Sequence, residues 1–219
     1  NLANFQVDDP DRASSIPGAS TIVGIGFVSS VRCMVMVDDS GISAGAMKKK
    51  SLDKALGSLK VALRQKLPFI HLVESAGANL MDNEVESWAA GGGMFHGLAQ
   101  LSAAGMPTIT ILHGPSTAGG AYQPGMSVYV IGVKKNGMAA LAGTALVYAS
   151  TGEQADEQEL GGAKMHATVS GLVEYLAEDD AEGISMARDV VERLDWNRRC
   201  TLSGPADFEE PVLEPESIA

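Results

Sequence analysis

The sequence predicts a single α/β domain built on a largely parallel sheet, and three observations carry that expectation. A unit occurs twice along the chain: a helical segment, a proline, a short apolar strand, then a loop of small residues. It runs first as "KKKSLDKALGSLKVALRQK", Pro68, "FIHLV" and "SAGANL", and again as "GGGMFHGLAQLSAAG", Pro107, "TITIL" and "STAGGAY". Helices alternating with strands in this way favour parallel pairing. Both strands lack Asp, Glu, Lys and Arg and read as buried runs, with His71, Thr108 and Thr110 as their polar members, as strands covered on two faces do. The 219 residues are enough for one sizeable core.

Each element follows from local pattern. Residues 1–20 are polar and turn-rich and read as an irregular lead-in. "TIVGIGFV" and "VRCMVMV", joined by Ser29 and Ser30, read as an antiparallel hairpin. The loop "DDSGISAGAM" follows. From Lys48 to Lys66, Leu52, Leu56, Leu59 and Leu63 recur at helical spacing. A strand starts after Pro68, and a polar stretch containing Trp88 leads to a second helix that stops at Gly105. Beyond the Pro107 strand, "VYVIGV" and "GMAALAG" read as further strands and "TALVYAS" as a helical turn. "SMARDVVERL" reads as a surface helix with Met186, Val190 and Leu194 on one side. Residues 196–219 read as an acidic, proline-containing extended tail.

Composition narrows the function. A formal charge of −11 disfavours a nucleic-acid partner, which selects for a basic stripe. No apolar run approaches the roughly 20 residues of a membrane helix. Cys33 and Cys200 stand far apart, which excludes a zinc ribbon or a disulfide framework and fits a reducing compartment: the cytoplasm, or the mitochondrial matrix in a eukaryote. His71, His96, His113 and His166 lack metal-ligand spacing, so structural roles are expected and no metal is. "GPSTA" misses the nucleophile elbow because Ala118 stands at its fifth position. Lys48 to Lys50 read as a solvated helix face, or as a phosphate contact if they lie beside a ligand.

The two small-residue loops are the candidate site. In open α/β folds ligands gather beyond the carboxyl ends of strands, where helix amino termini expose unpaired N–H groups. An amide from each loop, with Gly119 and Gly120 in the first turn of a helix, would form an oxyanion hole. The competing reading is that these glycines only allow close helix–sheet packing.

From about Thr21 to Leu194 the chain resembles the carboxyltransferase (β) subunit of biotin-dependent acyl-CoA carboxylases, of the propionyl-CoA and methylcrotonoyl-CoA type. "LVESAGANL", "GPSTAGGAYQPGMS" and "STGEQADEQELGGAKMHATVSGLVEYLAEDDAEGISMARDVVERL" carry the resemblance. It implies a crotonase-like β-β-α spiral over residues 21–195 and carboxyl transfer from carboxybiotin to the α-carbon of an acyl-CoA. It further implies that Gly119 and Gly120 hold an enolate oxygen, with Ala118, Ala121 and Tyr122 shaping the turn and Ala76, Gly77 and Ala78 lining the facing wall. Ala44, Gly45, Ala142 and Gly143 occupy two further motif positions of the acyl-binding wall. The first lies in Ile42–Gly45, where the family has valine-lysine-glycine-glycine. The second lies in Ala142–Ala145, where the family has glycine-glycine-proline-proline. Likewise Val128 replaces an aspartate.

The implied partners are acyl-CoA, a biotin carboxyl carrier or biotin carboxylase subunit, and a carboxy-terminal carboxyltransferase half. The last is implied because only the amino-terminal of the family's two domains is matched. A homo- or hetero-oligomer is expected, with biotin present only on the partner. Two other readings stay open: a stand-alone acyl-CoA decarboxylase or hydrolase using Glu74 or His113, and a catalytically silent scaffold subunit.

Overall fold

A computed structural model describes residues 19–78 and 85–200. Strands β1 (Thr21–Val28) and β2 (Val31–Asp38) pair antiparallel with Val28 opposite Val31. The connecting Ser29 and Ser30 both have positive φ, 46° and 62°, as a two-residue type I′ hairpin requires. Helix α1 (Lys49–Gln65) follows. Lys66 closes it in the left-handed region, its N–H reaching back to the Ala62 and Leu63 carbonyls. Strand β3 (Phe69–Val73), helix α2 (Val85–Ala103) and strand β4 (Thr108–Leu112) complete the repeated unit.

Beyond β4 come β5 (Pro115–Thr117), a 3₁₀ turn over Ala118–Ala121, α3 (Tyr122–Gly125), β6 (Tyr129–Val133) and β7 (Met138–Ala140). Short helices α4 (Thr144–Thr151), α5 (Glu157–Gly161) and α6 (Ala163–Met165) lead through a π-helical segment, His166–Ser170, into β8 (Tyr175–Ala177). Helices α7 (Asp180–Arg193) and α8 (Trp196–Arg199) end the described chain. The main sheet has the order β1-β2-β3-β4-β6-β8, parallel at every pair after the first, and β5 and β7 form a separate parallel ribbon.

The sheet is covered on both faces. Met34, Met36 and Phe69 pack with Leu52, Leu59, Leu98 and Leu101 of α1 and α2. Cys33, Ile70, Ile109, Ile111 and Ile131 pack with Ala187, Val190 and Val191 of α7 on the other side. Alternation along β2 sends Met34 and Met36 to one face and Cys33 to the other, which explains why no polar face is legible. Burial pushes the Cys33 thiol up to about 11.

Three expectations are revised. The polar stretch with Trp88 is already helical, since α2 starts at Val85. Burial of Leu98 and Leu101 against α1 outweighs the poor helix propensity of Gly91 to Gly93. The three-residue strands β5 and β8 carry too little pattern to be expected from sequence. Trp196 docks α8 onto the body, its indole N–H donating to the Lys66 carbonyl at 2.9 Å. The rest of the lead-in and tail, residues 1–18 and 201–219, lies outside the described residues, as do residues 79–84. Among the described residues no helix is long and apolar enough to cross a membrane.

Candidate functional site

Strands β3 and β4 run side by side, Val73 opposite Leu112, so the loops that leave their carboxyl ends are neighbours. The Thr117 N–H donates to the Ser75 carbonyl at 2.9 Å, which ties β5 to the first loop. Gly120 packs so tightly on that carbonyl that a Cβ would overlap it. A Cβ on Gly77 would lie 2.9 Å from the Gly119 nitrogen and 3.4 Å from the Ala118 Cβ. The two loops that the sequence singles out are therefore in direct backbone contact.

A third segment joins them. Ala76 N–H donates to the Ala44 carbonyl at 3.1 Å, and Met47 N–H to the Gly77 carbonyl at 2.7 Å. Gly45, at φ +68°, abuts the Glu74 carbonyl with no room for a side chain. Ser43, Ala44 and Ala118 also adopt positive φ, at 51°, 52° and 50°. Non-glycine residues in this region cost roughly 1–2 kcal/mol each, and such strain gathers at ligand sites. Sequence reasoning flags only the glycines, because alanine and serine give no warning of a left-handed backbone.

The N–H groups can be accounted for one by one. In the first loop Ala76 donates to Ala44, and Gly77 donates to the Ser75 hydroxyl at 3.1 Å. That leaves Ala78, an exposed residue, whose N–H finds no acceptor among the described residues. In the second loop Ala118 and Gly119 lie in the first turn of the 3₁₀ segment, where N–H groups have no intrahelical acceptor. Gly119 is half-buried and Gly120 buried. The position of a Gly119 Cβ would be 4.0 Å from the Ala78 nitrogen.

Tyr122 stands beside this turn, half its side chain exposed, and its ring lies 4.9 Å from that of Phe95 on α2. Ala142 and Gly143 follow β7, which runs alongside β5 and so near the turn. Gly143 has φ −73° and open space where a Cβ would go, so nothing local demands glycine there. Lys48 to Lys50 open α1 immediately after Met47, and no acidic residue offsets them in its first turn.

Glu74 and His113 are placed differently. The Glu74 side chain lies against Gly114, with its carboxylate 4.0 Å from His113 Nδ1. Both face a cavity of about 330 Å³ whose lining also includes Lys135, Glu157 and Asp180 but no residue of Ala76–Ala78 or Ala118–Tyr122. His71 is buried on Asp38, its Nε2 3.1 Å from the carboxylate. His166 Nε2 donates to the Ala139 carbonyl at 2.8 Å, so its Nδ1 accepts from the Ser170 hydroxyl in the neutral ring.

Comparison with known proteins matches residues 1–218 to the carboxyl transferase domain family. A probable biotin-dependent acyl-coenzyme A carboxylase beta2 subunit of Mycobacterium tuberculosis is 43% identical over 216 residues, covering 99% of this chain and 38% of that protein. The mitochondrial methylcrotonoyl-CoA carboxylase beta chain of Arabidopsis thaliana is 38% identical over 194 residues, 86% of this chain and 32% of its own. Among solved structures, the beta subunit of Pseudomonas aeruginosa geranyl-CoA carboxylase superposes with TM-score 0.82 at 38% identity, over 99% of this chain and 40% of that one. Transcarboxylase 12S, a hexamer with hydrolysed methylmalonyl-coenzyme A bound, superposes with TM-score 0.74 at 26% identity over 82% of this chain and 34% of its own. The chain thus spans between about a third and two fifths of the length of these relatives.

Proposed function

The chain belongs to the carboxyl transferase domain family, and on that premise we propose that it is the acyl-CoA-binding half of a biotin-dependent carboxyltransferase. One observation carries the reading: the Ala78 N–H, which has no acceptor among the described residues, and the first-turn Gly119 lie close together on two touching loops. Two donors so placed suit a thioester carbonyl oxygen. They become more valuable when a proton leaves the α-carbon and the oxygen takes up enolate charge. The α-carbon then attacks the carboxyl group of carboxybiotin carried by a partner, forming the new carbon–carbon bond as the nitrogen–carbon bond breaks, and the α-proton ends on the biotin nitrogen so released.

Other features fit a coenzyme A ester. Lys48 to Lys50 sit at the amino terminus of a 17-residue helix, a setting that favours phosphates, and Met47 ties that terminus to the acyl loop. Tyr122 and Phe95 offer an apolar edge for the acyl chain. Gly120, on this reading, permits the close approach of the two loops, and Gly119 is the donor. The carboxy-terminal half, the biotin carrier and the oligomer belong to the same proposal.

A stand-alone acid–base mechanism needs Glu74 or His113 beside the thioester, whereas both line a cavity to which the loop residues Ala76–Ala78 and Ala118–Tyr122 do not contribute. Calorimetric titration of the chain with CoA, acetyl-CoA, propionyl-CoA and a branched acyl-CoA tests the proposal. Saturable binding that varies with the acyl group is expected. Absence of binding by all four would overturn it and leave the scaffold reading in its place.

A further inference from the structure

One buried side chain links the first loop to the segment that precedes α1. Ser75 is fully buried and lies two residues beyond the end of β3, a strand held between β2 and β4. Its hydroxyl donates to the Gly45 carbonyl at 2.8 Å and accepts from the Gly77 N–H at 3.1 Å. Its own carbonyl accepts from Thr117 N–H at 2.9 Å and forms the surface on which Gly120 packs. One residue therefore contacts all three segments of the site.

We propose that Ser75 is the positioning residue of the acyl site, its hydroxyl holding the Gly77 N–H and the Gly45 carbonyl so that the Ala78 N–H is left to meet the thioester oxygen. The inference rests on reading the two loops as the thioester site. A hydroxyl is suited to the task because it donates once and accepts at the same time. Without it the buried Gly77 N–H has no partner, the loop rotates to seek one, and the spacing between Ala78 and Gly119 is no longer fixed. The serine makes no contact with the reacting atoms in this scheme.

The test is the thioester carbonyl stretch of carbon-13-labelled propionyl-CoA, read by difference infrared spectroscopy on the full chain. Wild type is expected to lower the frequency on binding, Ser75→Thr to keep that shift because it keeps the hydroxyl, and Ser75→Ala to lose it. CoA without an acyl group should bind all three equally. A shift retained in Ser75→Ala overturns the role of Ser75 alone. Binding of propionyl-CoA to wild type with no shift overturns the reading of the loops, and the Ser75 proposal with it. If Ser75→Ala melts without a cooperative transition, Ser75→Cys, with a weak thiol donor, replaces it. A shift between the wild-type value and zero is then expected, and the full wild-type shift would overturn the proposal.

Discussion

Helix α2 and the loop junction both contain several glycines, for opposite physical reasons. In α2, Cβ atoms at Gly91 and Gly92 would meet nothing within 4 Å, and at Gly93 and Gly97 they would meet the side chains of Leu56 and Leu59. At the junction, Cβ atoms at Gly45, Gly77 and Gly120 would meet backbone: the Glu74 carbonyl, the Gly119 nitrogen and the Ser75 carbonyl. A flexible side chain can move aside, whereas a backbone carbonyl can do so only by shifting the chain that carries it. Glycine as a packing spacer therefore describes α2, and glycine as a condition for backbone-to-backbone contact describes the site.

That contrast orders a series of alanine substitutions. Gly120→Ala should have the largest effect: it pushes the turn off the Ser75 carbonyl and separates the two amides. If those amides act as donors, carboxyl transfer to the acyl-CoA should fall by about 10²–10³, measured with the biotin-side partner present. Gly45→Ala adds a left-handed backbone to an overlap with the Glu74 carbonyl. It should cost about 2–3 kcal/mol of stability by denaturant melt and weaken acyl-CoA binding as well. Gly97→Ala brings a Cβ to 2.8 Å from Leu59 Cδ1, so a loss of about 1 kcal/mol is expected with unchanged acyl-CoA affinity. Gly92→Ala, on the exposed face of α2, should stabilise the protein by roughly 0.5–1 kcal/mol. A reversal of this order, with Gly97→Ala abolishing binding and Gly120→Ala tolerated, would break the distinction.

The frame of the fold was legible because its signals are long. Four leucines at helical spacing mark α1, and short runs free of Asp, Glu, Lys and Arg after Pro68 and Pro107 mark β3 and β4. The start of α2 was obscured because helix packing against α1 overrides the local glycine and polar content. Strands β5 and β8, three residues each, owe their existence to neighbours that the sequence does not place. For the site, the two loops were visible as small-residue segments at strand ends. Their contact was not, because it depends on β3 and β4 being adjacent. Nor were the left-handed Ser43, Ala44 and Ala118, or the part played by Ser75, since a single loop serine has no periodicity to betray it. The family positions at Ala142 and Gly143 gain no packing explanation from the structure.

The central claim is that the loop backbone binds a carbonyl oxygen. It is tested most directly by comparing the affinity of the chain for propionyl-CoA with that for propyl-CoA, the thioether in which a methylene replaces the carbonyl. Two backbone hydrogen bonds of about 1 kcal/mol each predict that the thioester binds on the order of tenfold or more tightly, and that Gly120→Ala erases the difference. Equal affinity of the wild-type chain for the two compounds would show that the oxygen is not held, and would contradict the account.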